Sequence, residues 1–217
     1  MTEDAALAAA KARITAYREK ISRLDDNSLD MIFREARSHN WFLDKPVSDA
    51  QLREIWDIMK FGTTSGNSLP ARILFIRSKE AKEKLRPCLS PANTDKTMHA
   101  PVTALIAYDT KFYEDLVKLY PIRPEMGDRF RNDAAVAEKF AFQQGTLQGA
   151  YLIMAARAIG LDAGAMGGFD NAKADEAFLA GTSWKSNFLC NIGYGDLQGI
   201  KGPRLYRYGF DEVCKIV

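Results

Sequence analysis

Only three cysteines and two histidines occur among the 217 residues, too few and too scattered for a zinc cluster or a disulfide framework. Cys88, Cys190 and Cys214 form no CxxC pair and read as buried or inert thiols of a reducing compartment. Long apolar runs are missing as well: no stretch approaches the roughly 20 residues that span a bilayer. Glu3 and Asp4 precede a short alanine-rich run, so the basic segment and apolar core of a secretory leader are lacking. A cytoplasmic protein with no membrane partner is expected. The formal net charge of +2 is small and no block of like charge occurs, which leaves no footprint for nucleic acid. No dinucleotide fingerprint follows the first apolar strand, no phosphate-loop lysine is present, and no nucleophile with its base can be recognised.

What is present is ordinary globular material, 47% hydrophobic and 27% charged, enough for one domain that buries roughly 70 to 75% of its unfolded surface. Residues 3–24 form a helical pattern with a stripe of Leu7, Ile14, Tyr17, Ile21 and Leu24, an arm for packing on the body or on a partner subunit. Asp26-Asn27-Ser28 is a turn and cap signal before a second helix over 29–37. Ser48 and Gln51 make a capping box for a third, which runs to about Phe61 and stops at Gly62. Strands are expected over 71–76, 102–108, 161–166 and 188–193, with a C-terminal strand or arm at 205–210. Helices are expected over 79–89, 134–159 and 172–179. The longest of these places Phe140, Leu147, Tyr151, Met154 and Ala158 near one face and closes at Gly160. Its small residues around Gly145 and Gly149 allow close helix approach. Strands and helices mixed around a small sheet give an α+β domain.

Three segments carry short hydroxyl, amide and glycine groups suited to a flat, phosphate-bearing ligand: Thr63 to Pro70, Asn93 to Lys96, and Met166 to Asp170. Arg37-Ser38-His39-Asn40 adds a guanidinium fit for bidentate phosphate recognition. Each has a plainer reading. Arg37 can cap a helix end, Thr63 to Ser68 can be a turn, and Asn93 and Lys96 can sit in a solvated turn. Gly167-Gly168 can be a strand-to-helix turn with positive φ, or can let backbone N–H groups approach a flat ring.

In this order, Ala36-Arg37-Ser38-His39-Asn40, Thr64 through Arg72, Leu85-Arg86-Pro87, Ala100 through Ala104, Gly160-Leu161-Asp162, Gly168-Phe169-Asp170, Lys185-Ser186-Asn187 and Asn191 through Gly195 resemble the FMN-dependent nitroreductase family. Within it they are similar to the malonic semialdehyde reductase branch of pyrimidine degradation. The resemblance covers 29–217 and leaves 1–28 as an N-terminal helical extension. It implies a central, mainly antiparallel sheet flanked by helices, in an intertwined homodimer with FMN at the subunit interface. The long helix would then lie in the dimer core and the C-terminal segment would wrap onto the other subunit.

By matching position, Arg37, Ser38, His39 and Asn40 would approach the phosphate and the ring's polar edge, and Arg204 would join the phosphate. Thr63, Thr64, Ser65 and Asn67 would come from the partner subunit. Asn93 and Lys96 would face the ring and ribityl chain, and Gly167 and Gly168 would bring backbone to the flavin N5. Two positions depart from the family pattern. Gly167 stands where many members carry an acid, and Gly202 where a second basic residue is common, with Lys201 as its substitute. The implied activity is ping-pong hydride transfer from NADPH or NADH through FMN, reducing malonic semialdehyde to 3-hydroxypropionate. Water, a ribityl hydroxyl or His39 would donate the proton. A general nitroreductase or quinone reductase and a non-catalytic flavin-binding regulatory protein are the alternatives. No metal is called for.

Overall fold

The structure, a computed structural model, describes residues 2–217. Its centre is a four-stranded sheet of β1 (Ala71–Ile76), β2 (Val102–Asp109), β3 (Asp162–Met166) and β4 (Trp184–Gly193), in the order β1-β2-β4-β3, with every neighbouring pair antiparallel. All eight residues of β2 are buried, because both faces of the sheet are covered. Side chains alternate across a strand. Ala104 and Ile106 therefore join one core with Ile55, Leu152 and Ile192, while Leu105 and Ala107 join another with Leu85, Ala174 and Leu189.

The first core is roofed by α3 (Asp49–Met59) and α8 (Ala134–Ala158), the second by α4 (Lys79–Leu85) and α9 (Asn171–Phe178). The capping box of α3 is present: Ser48 Oγ accepts from the Gln51 amide at 3.2 Å and Gln51 Oε1 accepts from Ser48 N. α8 ends where expected, at Gly160 with φ +79°. Its buried face is a correction, however. Ala141, Gly145, Gln148, Gly149 and Leu152 point inward while Leu147 lies outside. The small residues are spent on the chain's own sheet, since a Cβ on Gly149 would meet the Phe188 ring at 2.5 Å.

Other boundaries move for identifiable reasons. α1 (Glu3–Lys20) ends four residues early, and every described residue from Thr2 to Asn27 whose side chain is placed is exposed. Asp25, rather than the residues after it, caps α2 (Asp26–Leu29), which runs into a π turn ending at Arg34. Arg37 is thus outside any helix. α4 tightens into a 3-10 turn, Arg86–Cys88, and the expected turn after it is a helix, α5 (Pro91–His99), with proline in its first turn where no amide partner is needed. Two short helices, α6 (Leu116–Leu119) and α7 (Met126–Arg131), precede α8 and had no clear sequence pattern. β4 starts four residues earlier than its apolar run. The C-terminal arm forms no strand: residues 201–217 are exposed and carry only α10 (Phe210–Val213). Cys88 and Cys190 are buried, but Cys214 is exposed on this arm. No described helix is long and apolar enough to cross a membrane.

Candidate active site

β3 is an edge strand, and the segment after the π turn lies along it. Ser38 pairs with Ala163 in parallel, and His39 N donates to Ala163 O at 3.1 Å. This approach requires Gly164, whose added Cβ would fall 2.1 Å from His39 O. The two-residue alternation turns Ser38 and Asn40 outward and His39 inward. His39 is 6% exposed. Its Nε2 lies 3.4 Å from Asp162 Oδ1, and Gly195 packs over its ring. His39 therefore props the segment from below and does not face the surface that Ser38 and Asn40 share.

The parallel register places Arg37 toward the start of β3 and Asn40 toward its end, so the edge has two differently equipped ends. At the start, Arg37, Ser38, Arg157, Arg204 and Arg207 line a cavity of about 400 Å³. Arg37 Nη2 donates to Gly202 O at 3.0 Å, and Arg204 Nη2 donates to Ala36 O at 3.0 Å and to Arg34 O. The two arginines thereby latch the C-terminal arm to the loop reciprocally. Carbonyls satisfy N–H groups without cancelling charge. Among the described residues none of the four guanidiniums has a carboxylate within 4 Å, whereas Arg34, Arg72, Arg77 and Arg86 all do. Burial, with Arg204 adding to it, lowers the Arg157 pKa below its ordinary value, while Cys190 and Asp162 oppose the shift. A guanidinium stays charged regardless.

At the other end, Lys96 Nζ reaches Asn40 Oδ1 at 3.2 Å and Asn93 Nδ2 donates to Gly168 O at 2.7 Å. Burial lowers the pKa of Lys96. Gly167 and Gly168 are exposed and neither has a positive φ, so the turn-conformation reading of this pair fails. Gly168 is required sterically, because a Cβ would fall 2.6 Å from Asn93 Nδ2 and 2.9 Å from Ser90 Oγ. Its N–H has no protein acceptor among the described residues. Asn40, Asn93, Lys96 and Gly168 are thus brought together by the fold.

Thr63, Thr64, Ser65 and Asn67 are held elsewhere in the same chain. Ser65 N donates to Gln144 Oε1 and Ala71 N to Gln148 Oε1, both at 2.8 Å, so two residues one turn apart on α8 hold both ends of the loop. Thr63 Oγ1 lies 3.3 Å from the Tyr151 hydroxyl, and Asn67 Nδ2 donates to Leu119 O. Leu69 is kept at φ +40°, a strained value for a bulky residue.

A model of the nitroreductase family matches residues 33–194. The chain belongs to the nitroreductase family. It is 55% identical over 191 residues to a protein of Ralstonia pickettii named NADH dehydrogenase/NAD(P)H nitroreductase HadB, covering 87% of this chain and 97% of that one. A Stenotrophomonas maltophilia protein of the same general name is 54% identical over 193 residues, covering 89% and 97%. Among solved structures, a nitroreductase family protein of Streptococcus pneumoniae superposes with TM-score 0.73 at 20% identity, covering 86% and 98%. A nitroreductase of Exiguobacterium sibiricum in complex with FMN gives TM-score 0.73 at 19% identity, covering 90% and 99%. The fold is nitroreductase-like, and the chain is an oxidoreductase of a family that binds FMN.

In this family member the sequence pattern pointed to neither Arg157 nor Arg207 in the cationic cavity, and Lys201, the substitute for the basic residue absent at Gly202, does not line it. The signal for Arg157 was thin: one cation in the apolar last turns of a long helix, where it could have been taken as an ordinary C-terminal charge.

Proposed function

We propose that FMN lies along the β3 edge, with its phosphate toward Arg37, Ser38 and Arg204 and its ring toward Asn40, Asn93, Lys96 and Gly168. The observation that supports this is the edge's polarity: uncompensated guanidiniums at one end, and an unpartnered Gly168 N–H beside Lys96 at the other. Five residues of β3 separate the ends, roughly 13 to 16 Å at strand rise, room for an elongated ligand and too much for a lone phosphate. When bound, FMN supplies a ring that accepts a hydride and gives it up again.

The chain's own groups prepare that chemistry. Lys96 and the Gly168 N–H are positive dipoles and charges fixed where a ring gaining electrons becomes negative. Asn93 Nδ2 and Ser90 N both donate to the Gly168 carbonyl, which holds this stretch of backbone in place. Thr63, Thr64, Ser65 and Asn67 complete the site from a second copy in a homodimer, with Gln144 and Gln148 fixing their loop. NADPH or NADH is the electron donor. The acceptor is malonic semialdehyde, reduced to 3-hydroxypropionate, a reading supported by the resemblance of the whole ordered motif set, from Ala36 to Gly195, to the malonic semialdehyde reductase branch. With His39 turned inward, the proton comes from water or a ribityl hydroxyl.

Purified protein should be yellow and should bleach anaerobically on addition of NADPH. Turnover with malonic semialdehyde should then exceed that with a nitroaromatic under identical NADPH; the reverse order would make this a general nitroreductase. Flavin content should track dimer content in sedimentation. A monomer that binds FMN and turns over would refute the shared site.

A further inference from the structure

We propose that Arg157, at the end of α8, is a further anchor for the flavin phosphate beside Arg37 and Arg204. This rests on the FMN reading above. Arg157 is half-buried in the last turn of α8, and its Nη1 donates to Ile32 O at 2.9 Å. That bond fixes the side chain in the wall of the cavity that Arg37, Ser38 and Arg204 also line. Its Nε is buried without a hydrogen-bond partner. A guanidinium held this way costs stability in two respects: it is partly desolvated, with only one carboxylate, Asp162, beyond ion-pair distance, acting against that burial, and one of its donors is unmet.

A dianion in the cavity removes the charge part of that cost, because phosphate accepts from several guanidiniums at once. Gly202 leaves no side chain there, and its carbonyl instead accepts from Arg37. Arg157 reaches the same cavity from a rigid helix, where it needs no ordering when the ligand arrives. A purely structural role, the bond to Ile32 O, predicts a different behaviour: loss of stability with no preference among ligands.

The test compares FMN with riboflavin, which shares the ring and ribityl chain but lacks the phosphate. Full-length dimer stripped of flavin is titrated with each, by quenching of flavin fluorescence, for wild type, Arg157→Met, Arg157→Gln and Arg157→Lys. Wild type should bind FMN far more tightly than riboflavin. Arg157→Met should lower FMN affinity roughly 10- to 100-fold and leave riboflavin affinity within about twofold, with a shallower salt dependence for FMN. Arg157→Lys should recover part of the loss. Arg157→Gln, which can keep a donor to Ile32 O, should behave as Arg157→Met does and covers the case in which the methionine variant does not fold. An unchanged FMN-to-riboflavin ratio in the glutamine and methionine variants would overturn the role of Arg157. A wild-type ratio near one would overturn the phosphate site itself.

Discussion

Lys82 and Arg157 are both cations withdrawn from water with no carboxylate beside them, and the fold treats them in opposite ways. Lys82 sits on α4 and is 4% exposed. Its Nζ donates to Thr97 O on α5 at 2.7 Å and to Thr103 Oγ1 on β2 at 2.5 Å, and Thr103 Oγ1 donates in turn to Asn191 Oδ1 on β4. Asn191 Nδ2 in turn donates to Lys96 O. The amine is a staple holding α5, with Asn93 and Lys96, against the sheet. Burial pulls its pKa down to about 7, so it can shed its charge and remain a donor. Arg157 has no such exit. It stays charged in a cavity lined by three other arginines, offset only in part by Asp162. The difference between the two side chains teaches that a buried lysine can relieve its burial by losing a proton, whereas a buried arginine must keep its charge.

The largest expected effect is on the lysine side. Between pH 7 and 10.5 the unfolded chain holds a proton on Lys82 that the folded chain has released. The unfolded state therefore binds more protons in that window, and stability rises with pH across it, by about 5 kcal/mol at most for this group. Urea titrations of Lys82→Met should lack that rise relative to wild type; parallel slopes would mean that Lys82 keeps its proton. On the arginine side, Arg37→Ala and Arg204→Ala should each lose about 1.5 to 3 kcal/mol, or roughly 10- to 150-fold, in FMN affinity. Purified variants would be pale by absorbance, and full flavin content in both would place the phosphate elsewhere.

Gly168→Ala joins the two halves of the comparison. Its Cβ must push Asn93 away from the Gly168 carbonyl, which loosens the contact between the glycine turn and the helix that Lys82 staples. A loss of roughly 1 kcal/mol in stability is expected, together with slower flavin reduction by NADPH in anaerobic stopped flow; Gly168→Val should exaggerate both. The smallest effect is a control away from either cation. Ser48→Ala removes the cap of α3 and should cost about 1 kcal/mol in thermal unfolding, with FMN affinity unchanged. A change in affinity would show that helix stability, rather than the site, governs flavin retention.

Much of this was legible beforehand where the signal is local. β1 begins and ends at the residues expected, because a short apolar run lies between Pro70 and Arg77. The Ser48 box and the stop at Gly160 were equally plain. α5 was not, because Asn93, Thr94 and Asp95 favour turns when read alone and the helix-starting value of Pro91 competes with its turn value. The inward turn of His39 was hidden for a different reason: it follows from pairing with a strand more than a hundred residues away.

Composition, local caps, short apolar runs and the order of the motifs determined by themselves the class of fold, its family and most of the residues that gather at the β3 edge. These are properties of neighbouring residues, fixed by backbone sterics and by the periodicity of apolar positions. Tertiary structure alone decided which polar groups are compensated. Whether a guanidinium meets a carboxylate, as Arg72 meets Asp109, or only carbonyls, as Arg37 and Arg204 do, depends on elements brought together from opposite ends of the chain. Charge acts through space and falls with distance and solvent, so the cationic cavity, with Arg157 in its wall, exists only once α8, the loop and the C-terminal arm have met.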